Sequence, residues 1–113
     1  MARIAKRLVG PVAFAAATAT LYTVPAATKT IIRHIHVSNP SVTPYTFTLC
    51  IGADAAGKRI FDAFQIPGAA AGVTASVVDH YCYYVLEAAE ILTGFASNVA
   101  VTVTVDGDES ILS

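Results

Sequence analysis

Two of the three histidines in this chain, His34 and His36, are separated by a single residue in the apolar run IIRHIHVSN at residues 31–39. On a β-strand, side chains two positions apart point to the same side of the sheet, so both imidazoles could reach one metal ion. His80 would be a distant third ligand. A zinc or iron site also needs a carboxylate as ligand or as hydrogen-bonded partner of the histidines. The residues that follow the pair, VSNPSV, supply none.

Two carboxylates elsewhere in the chain, Asp79 and Glu87, are candidates only if their strand lies beside that of the histidine pair. The alternative is a strand whose polar side faces water or a neighbouring subunit, with imidazoles that titrate near neutral pH. We expect this alternative, hence no metal or other cofactor, and we place His34 and His36 in a partner interface. Such a contact should weaken on mild acidification unless an acidic neighbour holds the charge of the imidazoles.

Motifs of nucleophilic or nucleotide chemistry are absent from the sequence, which has no G-x-S-x-G, no P-loop and no G-x-G-x-x-G. Ser76, Asp79 and His80 are close in sequence, but this says little about the geometry of a catalytic triad. Cys50 and Cys82 lack the spacing of a zinc or redox motif and are expected to be reduced and buried or half-buried. We therefore expect no enzyme and no catalytic residue.

For two further groups of residues we prefer a structural interpretation to a ligand-binding one. The stretches DAAG and DGDE, at residues 54–57 and 106–109, suggest calcium only loosely and predict solvated turns. Tyr81, Tyr83 and Tyr84 could stack on bases or sugars. Without flanking lysine or arginine, they more often pack in a core or an interface.

The composition limits the classes of function. The chain has 113 residues, of which 55% are hydrophobic and only 13% charged, and its net charge is −1. This charge gives no electrostatic footprint for nucleic acid, and no apolar stretch is long enough to span a membrane. This small number of charged side chains is not enough to cover the surface of a free-standing domain. We therefore expect a partner to cover part of the apolar surface.

The pattern of residues predicts an all-β domain. Strands are expected at residues 19–24, 29–38, 45–52, 59–66, 73–78, 81–87 and 98–107, with another short strand after a tight turn at Ala88-Ala89. Asp79-His80 is taken as a break between two of them. About eight short strands with frequent turns predict an antiparallel β-sandwich, such as a jelly roll. Strict alternation places Ile32 on the side of the two histidines and assigns Ile35 and Val37 to the core.

The N-terminal segment combines a small basic cluster with an apolar run at residues 8–21 that imitates a secretory signal. Gly10-Pro11 interrupts this run, so we instead expect residues 1–18 to form an extended docking arm and residues 19–113 to form one β-sandwich domain. The expected partner contacts of the arm are Arg3, Lys6, Arg7, Val9, Val12 and Phe14.

Five stretches of the chain form a recurring pattern: LYTVP at residues 21–25, an apolar strand ending in Asn at residues 31–39, TLCIG at residues 48–52, LEAAE at residues 86–90 and VTVTVDGDE at residues 101–109. In this pattern the chain resembles small β-sandwich virion structural proteins of tailed bacteriophages, of the head-decoration or tail-accessory type. The resemblance spans residues 9–109 and rests on turn and core positions. Ala89 stands where the pattern more often has Gly.

The resemblance implies a sandwich that binds a lattice of virion proteins through apolar and arm contacts. We expect a non-enzymatic virion protein, foremost a cement-like capsid decoration protein, with a tail or neck accessory protein as the alternative. Its partners would be copies of itself, for example in a trimer, and the major capsid protein or other virion proteins. The expected location is the virion, assembled in the host cytoplasm. A carbohydrate- or host-binding module and a cupin-like metal protein are the further alternatives.

Overall fold

A computed structural model of the chain describes residues 2–53, 55–69 and 76–111. These residues form eight β-strands and one 3-10 turn, Ala56–Lys58. The strands are β1 (Ala2–Ala13), β2 (Ala19–Thr23), β3 (Thr28–Asn39), β4 (Tyr45–Ile51), β5 (Arg59–Ile66), β6 (Ser76–Leu86), β7 (Ile91–Ala96) and β8 (Thr102–Ile111). The prediction of an all-β fold with about eight strands is confirmed. Within the described ranges, no helix has the length and apolar character needed to cross a membrane.

The strands form two antiparallel sheets of four strands each, in the order β1-β8-β3-β6 in the first sheet and β2-β7-β4-β5 in the second. The strand pairs β1-β8, β2-β7, β3-β6 and β4-β5 are those of one long hairpin that has been rolled into two layers. This pairing is the topology of an eight-stranded jelly roll. The predicted sandwich therefore takes its jelly-roll form.

The core lies between the two sheets and is built from alternate residues of the strands. Phe47 and Leu49 of β4 are fully buried there, as the period-two pattern of that strand predicts. The ring of Phe14, which follows β1, lies 5.9 Å from the ring of Phe47 in a stacked arrangement. β4 is paired on both sides, with β5 and β7, so its side chains fill the centre of the second sheet.

β1 makes the N-terminal segment an edge strand of the sandwich. It pairs with β8 over its whole length, from Ala2 opposite Ile111 to Ala13 opposite Thr102. The side chain of Val9 is 5% exposed and that of Phe14 is 1% exposed, because both belong to the core. In the isolated chain the segment is thus part of the sheet, which the sequence did not predict. Docking of the segment on a partner stays a prediction.

A β-bulge at Arg33 corrects the predicted facing of β3. On the β8 side, Ile32 and His34 lie opposite the adjacent residues Gly107 and Asp106, so Arg33 is the extra residue there, whereas β6 places two residues opposite Arg33. The bulge reverses the alternation at this point. Ile32 therefore points into the core with Ile35 and Val37, and not toward the histidines as predicted.

Two further predictions are wrong because polar residues lie inside strands. Asp79-His80 is not a break, because β6 runs through it without interruption. Its alternation continues across the dipeptide, with Asp79 exposed and His80 half-buried. Residues 106–109 are likewise not a solvated turn but the centre of β8, in which Asp108 is buried. Residues 73–75 of a predicted strand and Asp54 of the DAAG stretch lie outside the described residues.

The predicted tight turn at Ala88-Ala89 is confirmed. Ala89 has a φ of 68°, in the left-handed region that favours glycine. The amide of Glu90 donates to the carbonyl of Glu87, and the amide of Glu87 donates to the Glu90 carboxylate at 2.6 Å. The backbone conformation explains why the motif at this turn more often has Gly.

Candidate functional site

The outer face of the first sheet, where β3 and β6 are paired, holds the residues with the most distinctive chemistry. β6 alternates along its length between half-buried side chains that face the core and exposed side chains that face outward. The register places His36 opposite Asp79, and His34 opposite Tyr81. Two adjacent strands thus bring a histidine pair, a carboxylate and an aromatic ring onto one surface.

His34, His36 and Asp79 converge on a single oxygen atom. The Oδ1 atom of Asp79 lies 2.8 Å from Nε2 of His34 and 2.7 Å from Nδ1 of His36. The three donor atoms all lie within 4.8 Å of one another. The condition that the strand of Asp79 lie beside the histidine strand is therefore met. Glu87, the other candidate carboxylate, forms an ion pair with Lys29 at 3.5 Å instead.

A second carboxylate and an aromatic ring orient His34. Its Nδ1 atom lies 3.7 Å from Oδ2 of Asp106, which belongs to β8 on the other side of β3. Its ring stacks on Tyr81, with ring centroids 4.5 Å apart and planes 13° from parallel. The imidazole is thus held on both sides, with its Nε2 atom directed at Asp79.

The third histidine, His80, does not join this group. It alternates with Asp79 on β6 and faces the inner side, where its ring meets Phe61 edge-on at 5.1 Å. Its Nε2 atom is 3.0 Å from the hydroxyl of Tyr84. The structure therefore brings together two of the three candidate histidines, and a carboxylate takes the place that the sequence analysis gave to the third.

The two histidines affect the ionisation of Asp79. Hydrogen bonds from His36, and then from His34, lower the pKa of this carboxyl below its ordinary value. A partner contact through His34 and His36 is expected to weaken on mild acidification unless an acidic neighbour holds the charge of the imidazoles. Asp79 is such a neighbour. A contact made through this histidine pair has a counter-charge within the same chain.

The same outer face of β6 exposes large apolar and aromatic side chains. The exposed fractions are 77% for Tyr81, 62% for Tyr83, 52% for Val77 and 43% for Val85. The guanidinium of Arg33 lies 5.4 Å from the centre of the Tyr83 ring. Tyr84 points the other way, is half-buried, and has its pKa raised by burial. We call the four exposed residues Val77, Tyr81, Tyr83 and Val85 the β6 patch.

The basic residues of the N-terminal strand pair with acidic residues of β8. The Nε atom of Arg3 lies 4.0 Å from Asp108, which also binds Arg33 at 2.5 Å. Lys6 binds Glu109 at 3.2 Å. Arg7 is exposed, as is Val12. Two of the three basic residues predicted to contact a partner, Arg3 and Lys6, therefore form ion pairs within the chain. Their side chains nevertheless remain about half exposed.

Glu109 also accepts a hydrogen bond from the hydroxyl of Tyr22, which in turn lies 2.8 Å from Thr30 Oγ1. Burial and this contact raise the pKa of Tyr22 to about 12. This hydrogen-bonded group links the two sheets at one end of the sandwich. The predicted reduced state of the thiols agrees with the geometry, because Cys50 is buried, Cys82 is half-buried and neither forms a disulfide.

Sequence reasoning named Asp79 only on the condition that its strand lie beside the histidine strand, and it missed the role of Asp106. The signal for Asp79 was present: the series Val77, Asp79, Tyr81, Tyr83 and Val85 alternates at period two through the supposed break. No sequence signal pointed to Asp106, because its approach to His34 depends on β8 lying between β1 and β3.

Comparisons with known proteins give structural likenesses only. No protein family matches the sequence, and no curated protein does. The fold is similar to a chain in the structure of the infectious bursal disease virus Gx strain, with a TM-score of 0.47 and 17% identity over 97% of this chain. It is also similar to a pentameric capsid protein isolated from metagenomic phage sequences (TM-score 0.40, 15% identity, 96% of this chain). A third similar structure is the cyanophage Pam1 capsid asymmetric unit (TM-score 0.38, 20% identity, 98% of this chain).

The chain spans 32% of the length of the bursal disease virus chain, 60% of the metagenomic capsid protein and 82% of the cyanophage chain. Identities and TM-scores at this level do not carry the function of those proteins over to this chain.

Proposed function

We propose that this protein is a non-enzymatic structural component of a phage virion that binds other virion proteins through the outer face of the first sheet. The observation that carries the proposal is the β6 patch, in which Tyr81 and Tyr83 are more than half exposed on one strand. Exposed aromatic residues grouped on a sheet mark a contact surface more often than a solvated one.

Two properties of the patch favour a protein partner. Tyrosine and arginine are enriched at the centres of protein interfaces, and here Arg33 lies over the ring of Tyr83. In addition, β6 is at the edge of its sheet, so one side of its backbone has no neighbouring strand within the described part of the chain. An edge strand with an apolar outer face suits pairing with another copy or with a lattice subunit.

Within the virion, we propose a capsid decoration role, in which homo-oligomers bind the major capsid protein of the assembled head. The sequence pattern shared with small phage virion proteins of the head-decoration or tail-accessory type supports a structural role of this kind. The exposed residues of β1, among them Ile4, Arg7 and Val12, would add a second contact along the opposite edge of the sheet. The alternative is a position in the tail or neck, where the outer face of the first sheet would also contact the partner.

The test is a binding assay of the purified protein with undecorated capsids and, separately, with tail preparations of the same phage. The double variant Tyr81→Ser/Tyr83→Ser should lose binding, because truncation of central aromatic residues costs about 2 kcal/mol or more each in an interface. The matched control is Val42→Ser, since Val42 is 78% exposed but lies in the loop after β3.

Binding to tails alone would replace the head-decoration proposal with the tail proposal. Binding to neither particle, or equal binding by the wild type and the double variant, would contradict the use of the β6 patch. A cryo-EM map of the particle would then show where the chain lies.

A carbohydrate-binding module is the second candidate, because the exposed rings of Tyr81 and Tyr83 could also stack on sugars. A glycan array separates the two candidates. Binding of a defined glycan that Tyr81→Ser removes would favour recognition of a host surface, whereas silence of the wild type across the array would remove this candidate.

A further inference from the structure

The strongest unassigned chemistry on the molecule is the convergence of His34, His36 and Asp79. Zinc in proteins lies about 2.0–2.2 Å from nitrogen and oxygen ligands, which places tetrahedral ligand atoms roughly 3.4 Å apart. The Asp79 oxygen already lies 2.8 Å and 2.7 Å from the two ring nitrogens. A shift of the carboxylate of less than about 1 Å, with adjustment of the two imidazoles, whose ring nitrogens lie within 4.8 Å of each other, would therefore open a position for an ion between the three atoms.

The donor set has the chemistry of a transition-metal site. Two imidazoles and one carboxylate suit zinc and the other late first-row divalent ions, whereas calcium and magnesium prefer oxygen ligands alone. Asp79 supplies the one carboxylate oxygen of the set, at hydrogen-bonding distance from both ring nitrogens. Three protein ligands on an outer face leave the remaining coordination positions to water.

The surroundings of His34 also offer a partner for the ring nitrogen that does not face the ion. A metal-bound histidine nearly always donates its other ring N–H to a carboxylate, a carbonyl or a water. When Nε2 of His34 binds a metal, Nδ1 carries the proton, and the carboxylate of Asp106, 3.7 Å from that atom, must approach by about 0.5 Å to accept a hydrogen bond from it. This carboxylate comes from a third strand and has no role in the hydrogen bonds to Asp79.

Rigid elements hold the group in place. All four residues lie on strands β3, β6 and β8, which are adjacent in one sheet, and none lies on a loop. The ring of His34 stacks on Tyr81, so its orientation is fixed independently of Asp79. The bulge at Arg33 sets the phase of β3 so that both histidines face outward over a buried Ile35. Sites supported in this way bind without reorganising the backbone.

We propose that His34 Nε2, His36 Nδ1 and the carboxylate of Asp79 bind a divalent transition-metal ion of the zinc type, with Asp106 as the hydrogen-bond acceptor that orients His34. The site is separate from the virion role proposed above and holds whether or not that role is correct.

The test is a titration of the tag-free full chain, previously treated with a chelator, with Zn²⁺ by isothermal calorimetry. We expect one saturable equivalent per chain, release of the ion by EDTA, and a rise in the thermal midpoint with Zn²⁺ concentration. His36→Gln and Asp79→Asn should each weaken binding by more than tenfold, and Asp106→Asn by about 10–100-fold.

The matched control is His80→Gln, which removes the histidine next to Asp79 in sequence that faces the opposite side of the sheet. It should leave Zn²⁺ affinity unchanged. Circular dichroism of the metal-free variants checks that each is folded. Because the site lies on the surface, Asp79→Asn and His36→Gln are independent ways to remove it.

Three results would overturn the proposal. The first is the absence of saturable Zn²⁺ binding by the wild type. The second is binding that His36→Gln and Asp79→Asn both retain, which would place the ion elsewhere. The third is a loss of Zn²⁺ affinity in His80→Gln as large as that in the ligand variants, which would show that the substitutions act through the fold and not by removing a ligand.

Discussion

β4 and β6 are both regular alternating strands, but the chain covers both sides of β4 and only one side of β6. In β4, four consecutive residues from Phe47 to Cys50 are buried. In β6, every second residue from Val77 to Val85 is exposed. β4 lies between two strands and β6 lies at an edge. Large side chains occupy the open side of β6, whereas small ones, Thr48 and Cys50, occupy the covered outer side of β4.

The difference shows how the chain uses its apolar residues. On β4, the outer side is completed by the chain itself, since the hydroxyl of Thr48 accepts a hydrogen bond from the amide of Ala63 in β5. On β6, the outer side offers tyrosines and valines that no described part of the chain covers. Four of the ten exposed large hydrophobic side chains of the described residues lie on this one strand face, which fits a surface that meets a partner.

The two cysteines give the largest contrast between the strands. Cys50 of β4 is fully buried, so a thiol reagent reaches it only when the protein opens, which lowers its rate by about 10³-fold or more. Cys82 of β6 is half-buried, and burial raises the pKa of its thiol. We therefore expect slow labelling of Cys82 at neutral pH. Its labelling rate should continue to rise at pH values above the ordinary pKa of a thiol, because the thiolate is the reactive form. Mass spectrometry after timed alkylation of the native protein measures both rates, and equal rates at the two thiols would contradict the contrast.

Phe47→Ala tests the inner side of β4. Phe47 is fully buried and contacts the rings of Phe14, Phe61 and Phe64. Its truncation should lower the free energy of unfolding by about 3–5 kcal/mol, because it removes apolar burial and leaves a cavity. Urea denaturation followed by circular dichroism gives the value. A loss below about 1 kcal/mol would mean that the core is not packed around this ring.

Thr48→Val tests the outer side of the same strand. The substitution keeps the shape of the side chain but removes the acceptor for the Ala63 amide, which is 3.0 Å from the hydroxyl. Ala63 is itself exposed, so the loss is that of an ordinary hydrogen bond, and the free energy of unfolding should fall by about 0.5–1.5 kcal/mol. The control is Thr104→Val on β8, where the residue is only half-buried. A neutral Thr48→Val would show that solvent reaches this side.

Tyr81→Ser/Tyr83→Ser tests the open side of β6 and should have the smallest effect on the fold. Both rings are mostly exposed, and substitutions of exposed residues usually change the free energy of unfolding by about 0.5 kcal/mol or less. Within the chain, this variant loses the stacking of Tyr81 on His34 and the contact of Arg33 with the ring of Tyr83. A large loss of stability in urea would assign these rings to the fold and not to a partner.

The sequence predicts well where alternation is strong and uninterrupted. β4 was found to within one residue, and β3 was found together with its histidines on the outer side. The errors arise where pairing overrides a local signal. Arg33 became a bulge because β8 pairs two adjacent residues with Ile32 and His34, and this turned Ile32 inward. Asp79-His80 stayed extended because the neighbouring β3 pairs with both residues.

The candidate site was half visible in the sequence. The pair His34 and His36 is a local pattern, and the requirement for an adjacent carboxylate strand could be stated in advance. Which residue would meet it depended on a register between segments more than 40 positions apart, since Asp79 and His36 are separated by 43 residues. Such a register follows from the topology of the roll and leaves no trace in either segment alone.

The pairing of β1 with β8 governs how the chain can fold. Arg3 of β1 lies opposite Ser110 of β8, so β1 can form this pairing only after β8 has been synthesised. Nearly all other pairings of the roll also join distant segments, and folds of high contact order form in milliseconds to seconds instead of microseconds. During that interval the newly made chain exposes β1 and the β6 patch together. The same apolar strands that suit a virion lattice therefore make rapid synthesis at high concentration a hazard for aggregation.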